Sequence, residues 1–136
     1  MPRLVFVDAN VLIAAARGKA PLHLRAMQVL DDPDLRFASS LYVQLEILPK
    51  ALYNRQTAEA AFYNAFFQSV VKWAEPSADL VRRAYAEASK AGLSALDALH
   101  ITAAASVGAE ELVTAEKASS TIHRSTLVPV RTIIPE

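Results

Sequence analysis

The sequence predicts an α/β sandwich built on a parallel sheet, and three observations predict it. Short apolar runs rich in β-branched residues alternate with longer Ala- and Leu-rich segments of helical spacing. The short runs are continuously apolar rather than alternating, as strands covered on both faces are. Capping and turn residues fall between the two kinds of segment. The chain has 136 residues, 53% hydrophobic and 21% charged, with only three Gly and seven Pro, which excludes disordered, collagen-like and low-complexity chains. No repeat or shift of composition divides residues 1–136, so a single domain is expected.

Leu4–Val7 reads as the first strand, ended by Asp8, and Ala9–Ala16 as a helix stopped by Gly18 and Pro21. Pro21–Leu30 is a second helix, with Pro21 tolerated in its first turn and Leu22, Ala26, Val29 and Leu30 at helical spacing. A turn at 31–34 leads to a Leu35–Ala38 strand. Ser39 or Ser40 then caps a helix to Tyr53, whose face is traced by Leu41, Leu45, Leu48 and Leu52 and which Pro49 should kink. Thr57–Val71 is a further helix. Its Phe62, Tyr63, Phe66 and Phe67 make a face wider than one core stripe needs, which predicts core packing plus a surface for another subunit or a partner helix.

Val70–Ala74 is expected as a short strand, Ser77–Lys90 as an amphipathic helix closed by Gly92, and Ala95–Val107 as an Ala-rich helix buried nearly all round and ended by Gly108. Leu112–Thr114 and Val128–Ile134 supply the last strands, separated by the polar stretch 115–126.

Fourteen basic residues balance fourteen acidic ones, so a global positive field does not draw a polyanion to this chain, and any such contact is local. The lack of cysteine excludes disulfides, thiolate metal sites and cysteine nucleophiles. No apolar window approaches the roughly 18 residues of a membrane span, and the first apolar run is too short for a secretory core. A soluble cytoplasmic protein with no membrane contact is expected.

Open parallel sheets bind ligands at the carboxyl ends of their strands. Asp8 directly follows the first strand and Glu116 lies two residues beyond Thr114, so both fall on one edge. Glu46 and Asp97 each stand among residues that want burial, where a carboxylate needs a partner. Each acid also has a plain role open to it: Asp8 as a helix cap, Asp97 in a capping box with Ser94, Glu46 and Glu116 as solvated edge residues. Together they repel one another unless a divalent cation neutralises them, and oxygen-only ligation favours Mg²⁺ or Mn²⁺. Carboxylate-held metal facing a phosphate suits phosphodiester hydrolysis by activated water. His100, one helical turn after Asp97, reads more readily as a satisfied core histidine than as a ligand. Lys50, Arg55, Lys117 and Arg124 are the cations nearest in sequence for substrate phosphates, and a solvated-surface role is open to each.

Three segments resemble PIN-domain ribonucleases. Val5-Phe6-Val7-Asp8-Ala9-Asn10-Val11-Leu12-Ile13 is similar to their first motif, Leu93-Ser94-Ala95-Leu96-Asp97-Ala98-Leu99-His100-Ile101-Thr102-Ala103-Ala104-Ala105 to their third, and Leu112-Val113-Thr114-Ala115-Glu116-Lys117 to their strand-end fourth. Glu46 falls where such domains carry a helical glutamate. The likeness, from about residue 4 to 134, implies a PIN-like three-layer α/β/α sandwich with a short central parallel sheet surrounded by helices. A chain of this size looks like the VapC toxins of toxin–antitoxin pairs. That implies an Mg²⁺- or Mn²⁺-dependent endoribonuclease, usually homodimeric, silenced by a small antitoxin and leaving a 5′-phosphate and a 3′-hydroxyl. Asp8, Glu46, Asp97 and Glu116 would be the catalytic and metal-binding acids, with Asn10, Ser94 and Thr114 in support. Glu116 stands where the family usually has Asp, and a further acid often found a few residues on is replaced by Ala118-Ser119-Ser120.

Two other aspartate-pocket chemistries fit less well. A phosphorelay receiver expects paired acids after its first strand, and a haloacid-dehalogenase-type phosphatase expects Asp where Asn10 stands. The open alternative is a catalytically weak or inactive PIN domain that binds RNA or protein without cutting.

Overall fold

A computed structural model describes residues 2–135. Five strands, β1 (Arg3–Val7), β2 (Leu35–Ser40), β3 (Lys72–Ala74), β4 (Glu111–Thr114) and β5 (Val130–Thr132), form one sheet in the order β3-β2-β1-β4-β5. Every pairing is parallel, with Phe6 opposite Ala38 on one side and Leu112 on the other. Six helices surround it: α1 (Ala9–Arg17), α2 (Leu22–Leu30), α3 (Leu41–Tyr53), α4 (Thr57–Ser69), α5 (Ala78–Ala91) and α6 (Ala95–Ser106). The result is the expected three-layer α/β/α sandwich. Helix α6 lies across β2, β3 and β4 with α5 packed on it, while α1 packs with α2, α3 and α4.

The continuous apolar runs are central strands because both faces are covered. Val5, Phe6 and Val7 are fully buried, as are Leu112 and Val113, and burying each such side chain contributes about 1.5–3 kcal/mol. Helix α6 has Ala98, His100, Ile101, Thr102, Ala103 and Ala104 buried, which leaves it little outward face. Its small residues let it sit close to the sheet.

Most boundaries fall within two residues of expectation, and the departures have local causes. Strand β2 continues to Ser40 because Ala38, Ser39 and Ser40 pair with Lys72, Trp73 and Ala74. Helix α2 begins at Leu22 with Pro21 as its cap residue. Helix α4 stops at Ser69, and the expected strands at 70–74 and 128–134 shrink to three residues each, because each pairs with only one neighbour at a sheet edge. Helix α3 runs unbroken through Pro49. The carbonyl that Pro49 leaves unpaired belongs to Leu45, an exposed residue that water can reach. The polar stretch contains a 3₁₀ turn, Thr121–Arg124, anchored by buried Ile122.

The aromatic face of α4 needs a correction. Tyr63, Phe66 and Phe67 are buried and Phe62 packs against the same core, so the face is used inside the molecule rather than offered to a partner. Phe66 stacks on Phe37 at 5.5 Å between centroids and Phe67 on Trp73 at 5.9 Å. Exposed large apolar side chains stand elsewhere, notably Leu41, Leu45, Leu52 and Tyr53 on α3 and Val81 and Tyr85 on α5. Among the described residues no helix is long and apolar enough to cross a membrane.

Candidate active site

From β1 the chain moves outward through β2 to β3, then returns to the other side of β1 for β4 and β5. The strand order therefore reverses between β1 and β4, and a crevice opens at their carboxyl ends, where open α/β sheets bind ligands. Asp8 ends β1 and Thr114 ends β4, so parallel pairing alone puts them side by side.

Asp8 is both a cap and a buried acid. Its Oδ1 accepts the Ala9 N–H at 2.8 Å, capping α1. Its Oδ2 accepts the Thr114 hydroxyl at 2.8 Å, and the residue is only 4% exposed. Thr114 in turn accepts the Glu116 N–H at 3.1 Å, while Asn10 Oδ1 accepts the Ala115 N–H at 2.9 Å. The end of β1, the start of α1 and the loop after β4 are thus joined by hydrogen bonds through Thr114 and Asn10.

Asp97 lies in the first turn of α6, where the helix dipole favours a carboxylate, and Ser94 caps that turn by accepting the Asp97 N–H at 3.3 Å. Three residues on, His100 is almost fully buried. Its Nε2 donates to Glu46 Oε1 at 2.7 Å and lies 3.9 Å from Asp8 Oδ1. The sequence reading of His100 as a core histidine is half right: the ring is in the core, and it joins Glu46 of α3 to the acids of β1 and α6. The signal available in the sequence was its one-turn spacing from Asp97. Its partner, 54 residues away, was not legible there. Nδ1 of the ring is buried with no partner among the described residues.

The electrostatics show convergence. Burial pushes the Asp8 carboxyl up to about 6. His100 and the Thr114 hydrogen bond oppose that rise, and the charges of Asp97 and Glu46 add to it. Asp97 is also held above the usual carboxylate range, by burial first and then by Glu116, with His100 and Ser94 opposing and Glu46 adding. Four acids from β1, α3, α6 and the loop after β4 therefore act on one another. Among the described residues no three Asp, Glu or His side chains already surround one point as a finished ligand set. Glu46 is engaged by His100, and Glu116 Oε2 accepts the Ser120 hydroxyl at 3.2 Å, so both would release those partners to reach an ion. In charge and donor type the set fits a hard divalent cation, which would offset the burial and the mutual repulsion that together raise Asp8 and Asp97.

The cations named from sequence are spread out. Lys50 is exposed one turn beyond Glu46 on α3, and Lys117 is exposed beside Glu116. Arg55 is exposed in the loop after α3. Arg124 ends the 3₁₀ turn and lies against Gly92, two residues before Ser94. Sequence reasoning missed two residues that hold the Glu116 loop: Ser120, and His123, whose Nε2 is 3.4 Å from the Glu116 carbonyl oxygen.

Thr114→Val keeps the shape of the strand end and removes the hydroxyl that Asp8 and Glu116 both use. It is expected to cost about 1–3 kcal/mol, the usual cost of leaving buried groups unsatisfied, read as a lower urea midpoint. In the Asp8→Asn background the cost should shrink, because the two substitutions remove the same contact.

A three-layer sandwich with acids at the reversal of strand order defines a class of α/β domain, and comparisons specify it. The model of the PIN domain matches residues 5–122. This chain belongs to the PIN-domain family, whose members are generally nucleases and typically use divalent metal ions. No functionally curated protein matches the sequence. Among solved structures, the DNA-bound VapBC of Salmonella typhimurium is similar at 18% identity and TM-score 0.69, covering 98% of this chain and 100% of that one. VapBC2 of Rickettsia felis, bound to a DNA fragment from the promoter, is 12% identical with TM-score 0.69, covering 95% and 98%. VapBC-1 of nontypeable Haemophilus influenzae is 16% identical with TM-score 0.66, covering 96% and 98%.

Proposed function

We propose that this protein is a divalent-metal-dependent endoribonuclease and the toxin of a type II toxin–antitoxin pair. The carrying observation is that Asp8, Glu46, Asp97 and Glu116, remote in sequence, come together at the reversal of strand order, where burial raises Asp8 and Asp97 and the charges of neighbouring acids add to the rise. Asp8 and Asp97 are the principal ligands in this reading, with Glu46 and Glu116 completing the pocket after leaving His100 and Ser120. A bound Mg²⁺ or Mn²⁺ would supply charge neutralisation at the phosphate and make water a stronger nucleophile. The protein's own part is to hold the carboxylates: the β1–β4 pairing fixes Asp8, the Ser94 cap fixes Asp97, and His100 keeps Glu46 near them until an ion takes it.

Support for the toxin assignment comes from the VapBC assemblies, whose fold this chain shares over nearly its whole length. An antitoxin protein is accordingly the proposed partner, RNA the substrate and the cytoplasm the compartment. The homodimer fits the exposed Val81 and Tyr85, which border an apolar groove between α5 and α6.

The test is calorimetric titration with Mn²⁺ and Mg²⁺ together with cleavage of a structured RNA pool. Saturable metal binding and cleavage abolished by EDTA are expected. The engagement of Glu46 and Glu116 by His100 and Ser120 favours a second reading, an inert PIN domain that binds RNA or protein, and metal binding without cleavage would select it.

A further inference from the structure

Beside the acid pocket, and outside it, lies a concavity of about 440 Å³ lined by Glu87, Lys90, Ala91, Gly92, Arg124 and Thr126. Two elements of the candidate active site form its walls. Gly92 leads through Leu93 to Ser94, which caps the helix carrying Asp97. Arg124 ends the 3₁₀ turn that follows Glu116, and that turn packs on α6.

The geometry points to a subsite for one phosphodiester of a single-stranded RNA, held by Lys90 and Arg124. The inference rests on the ribonuclease reading and adds a second point of contact to it. Neither cation is paired with a carboxylate among the described residues, although Arg3, Arg17 and Arg131 are. The concavity also has a built floor. Glu87 is 7% exposed, and its Oε2 accepts the Ser125 hydroxyl at 2.6 Å, which ties the residue after Arg124 to α5. At Gly92 the backbone has φ 70°, and an added Cβ would meet the Arg124 guanidinium at 3.0 Å. The positive φ favours glycine there, and an alanine would also crowd the end of the Arg124 side chain.

The charge selects the ligand. Lys90 and Arg124 against Glu87 leave one net positive charge, which matches the single negative charge of a phosphodiester better than the near-dianion of inorganic phosphate.

The experiment measures anisotropy of a fluorescent single-stranded RNA in EDTA over a range of salt, with metal-supported cleavage in parallel. Lys90→Gln with Arg124→Gln is compared with Arg25→Gln plus Arg36→Gln, which removes the same charge from exposed sites on α2 and β2. The first pair is expected to weaken RNA binding about tenfold and to lower the salt slope by about 0.7 for the phosphate lost. KM should rise by a similar factor while kcat and Mn²⁺ affinity hold, and the control pair should change none of these. Inorganic phosphate should compete poorly. Equal RNA affinity and slope in wild type and the first pair would overturn the subsite while leaving the ribonuclease reading intact. A wild type that neither binds nor cuts RNA would overturn both.

Discussion

Asp97→Asn is expected to reduce RNA cleavage by about a thousandfold, some 4 kcal/mol of barrier, and to weaken Mn²⁺ binding at least about tenfold without unfolding the protein. The asparagine keeps the size of the side chain and its place in the Ser94-capped turn, so α6 should retain its position against β4. What it loses is one negative charge in a pocket where burial and Glu116 already hold the Asp97 carboxyl above its ordinary range. A cation gains from that charge, whereas the bare fold does not. The urea midpoint in EDTA should therefore stay level or rise. Cleavage at the wild-type rate would remove Asp97 from the reaction and return it to the plain task of starting a helix.

Asp8→Asn separates stability from function in the same way, and pH gives it a sign. The Asp8 carboxyl is pushed from 3.8 up to about 6, so between these values the folded protein keeps a proton that the unfolded chain has released. Stability contributed by this group is intact below about pH 4, falls as pH rises through the window, and is fully lost above about 6. At 1.36 kcal/mol per pH unit the loss is about 3 kcal/mol. Asparagine removes the ionisation and can still cap α1 through its amide oxygen. In EDTA at pH 7.5 the variant should gain about 2 kcal/mol in urea unfolding, a gain that disappears near pH 4. Added Mn²⁺ should reverse the order if Asp8 is the proposed ligand, because a cation that binds the wild type more tightly stabilises it more. A variant less stable than wild type in EDTA at pH 7.5 would show that the Thr114 and Ala9 hydrogen bonds outweigh the cost of the buried charge.

These two aspartates also show how unevenly the sequence spoke. Asp8 stands directly after a run of buried β-branched residues, and Asp97 stands three residues after a capping serine, so each was visible in its own local pattern. The strands and helices were legible for the same reason, since periodicity and caps act over a few residues. Where an outcome depended on a neighbour remote in the chain, local pattern fell short. The aromatic face of α4 looked too wide for a core because nothing nearby in sequence announces Phe37, on β2, as its partner. His100 looked like core for want of any sign of Glu46.

The sequence by itself determined an α/β chain, its order of elements, two acids following strands and three motifs similar to those of the PIN family, because all of these reside in residue type and short spacing. The tertiary structure decided which of those groups touch. Parallel pairing of β1 with β4 joins Asp8 to Thr114 across 106 residues, the packing of α3 beside α6 gives Glu46 to His100, and burial raises the proton affinity of Asp8 and Asp97. Hydrogen bonds and desolvation act over a few ångströms of space, and only the folded chain brings distant residues within that range.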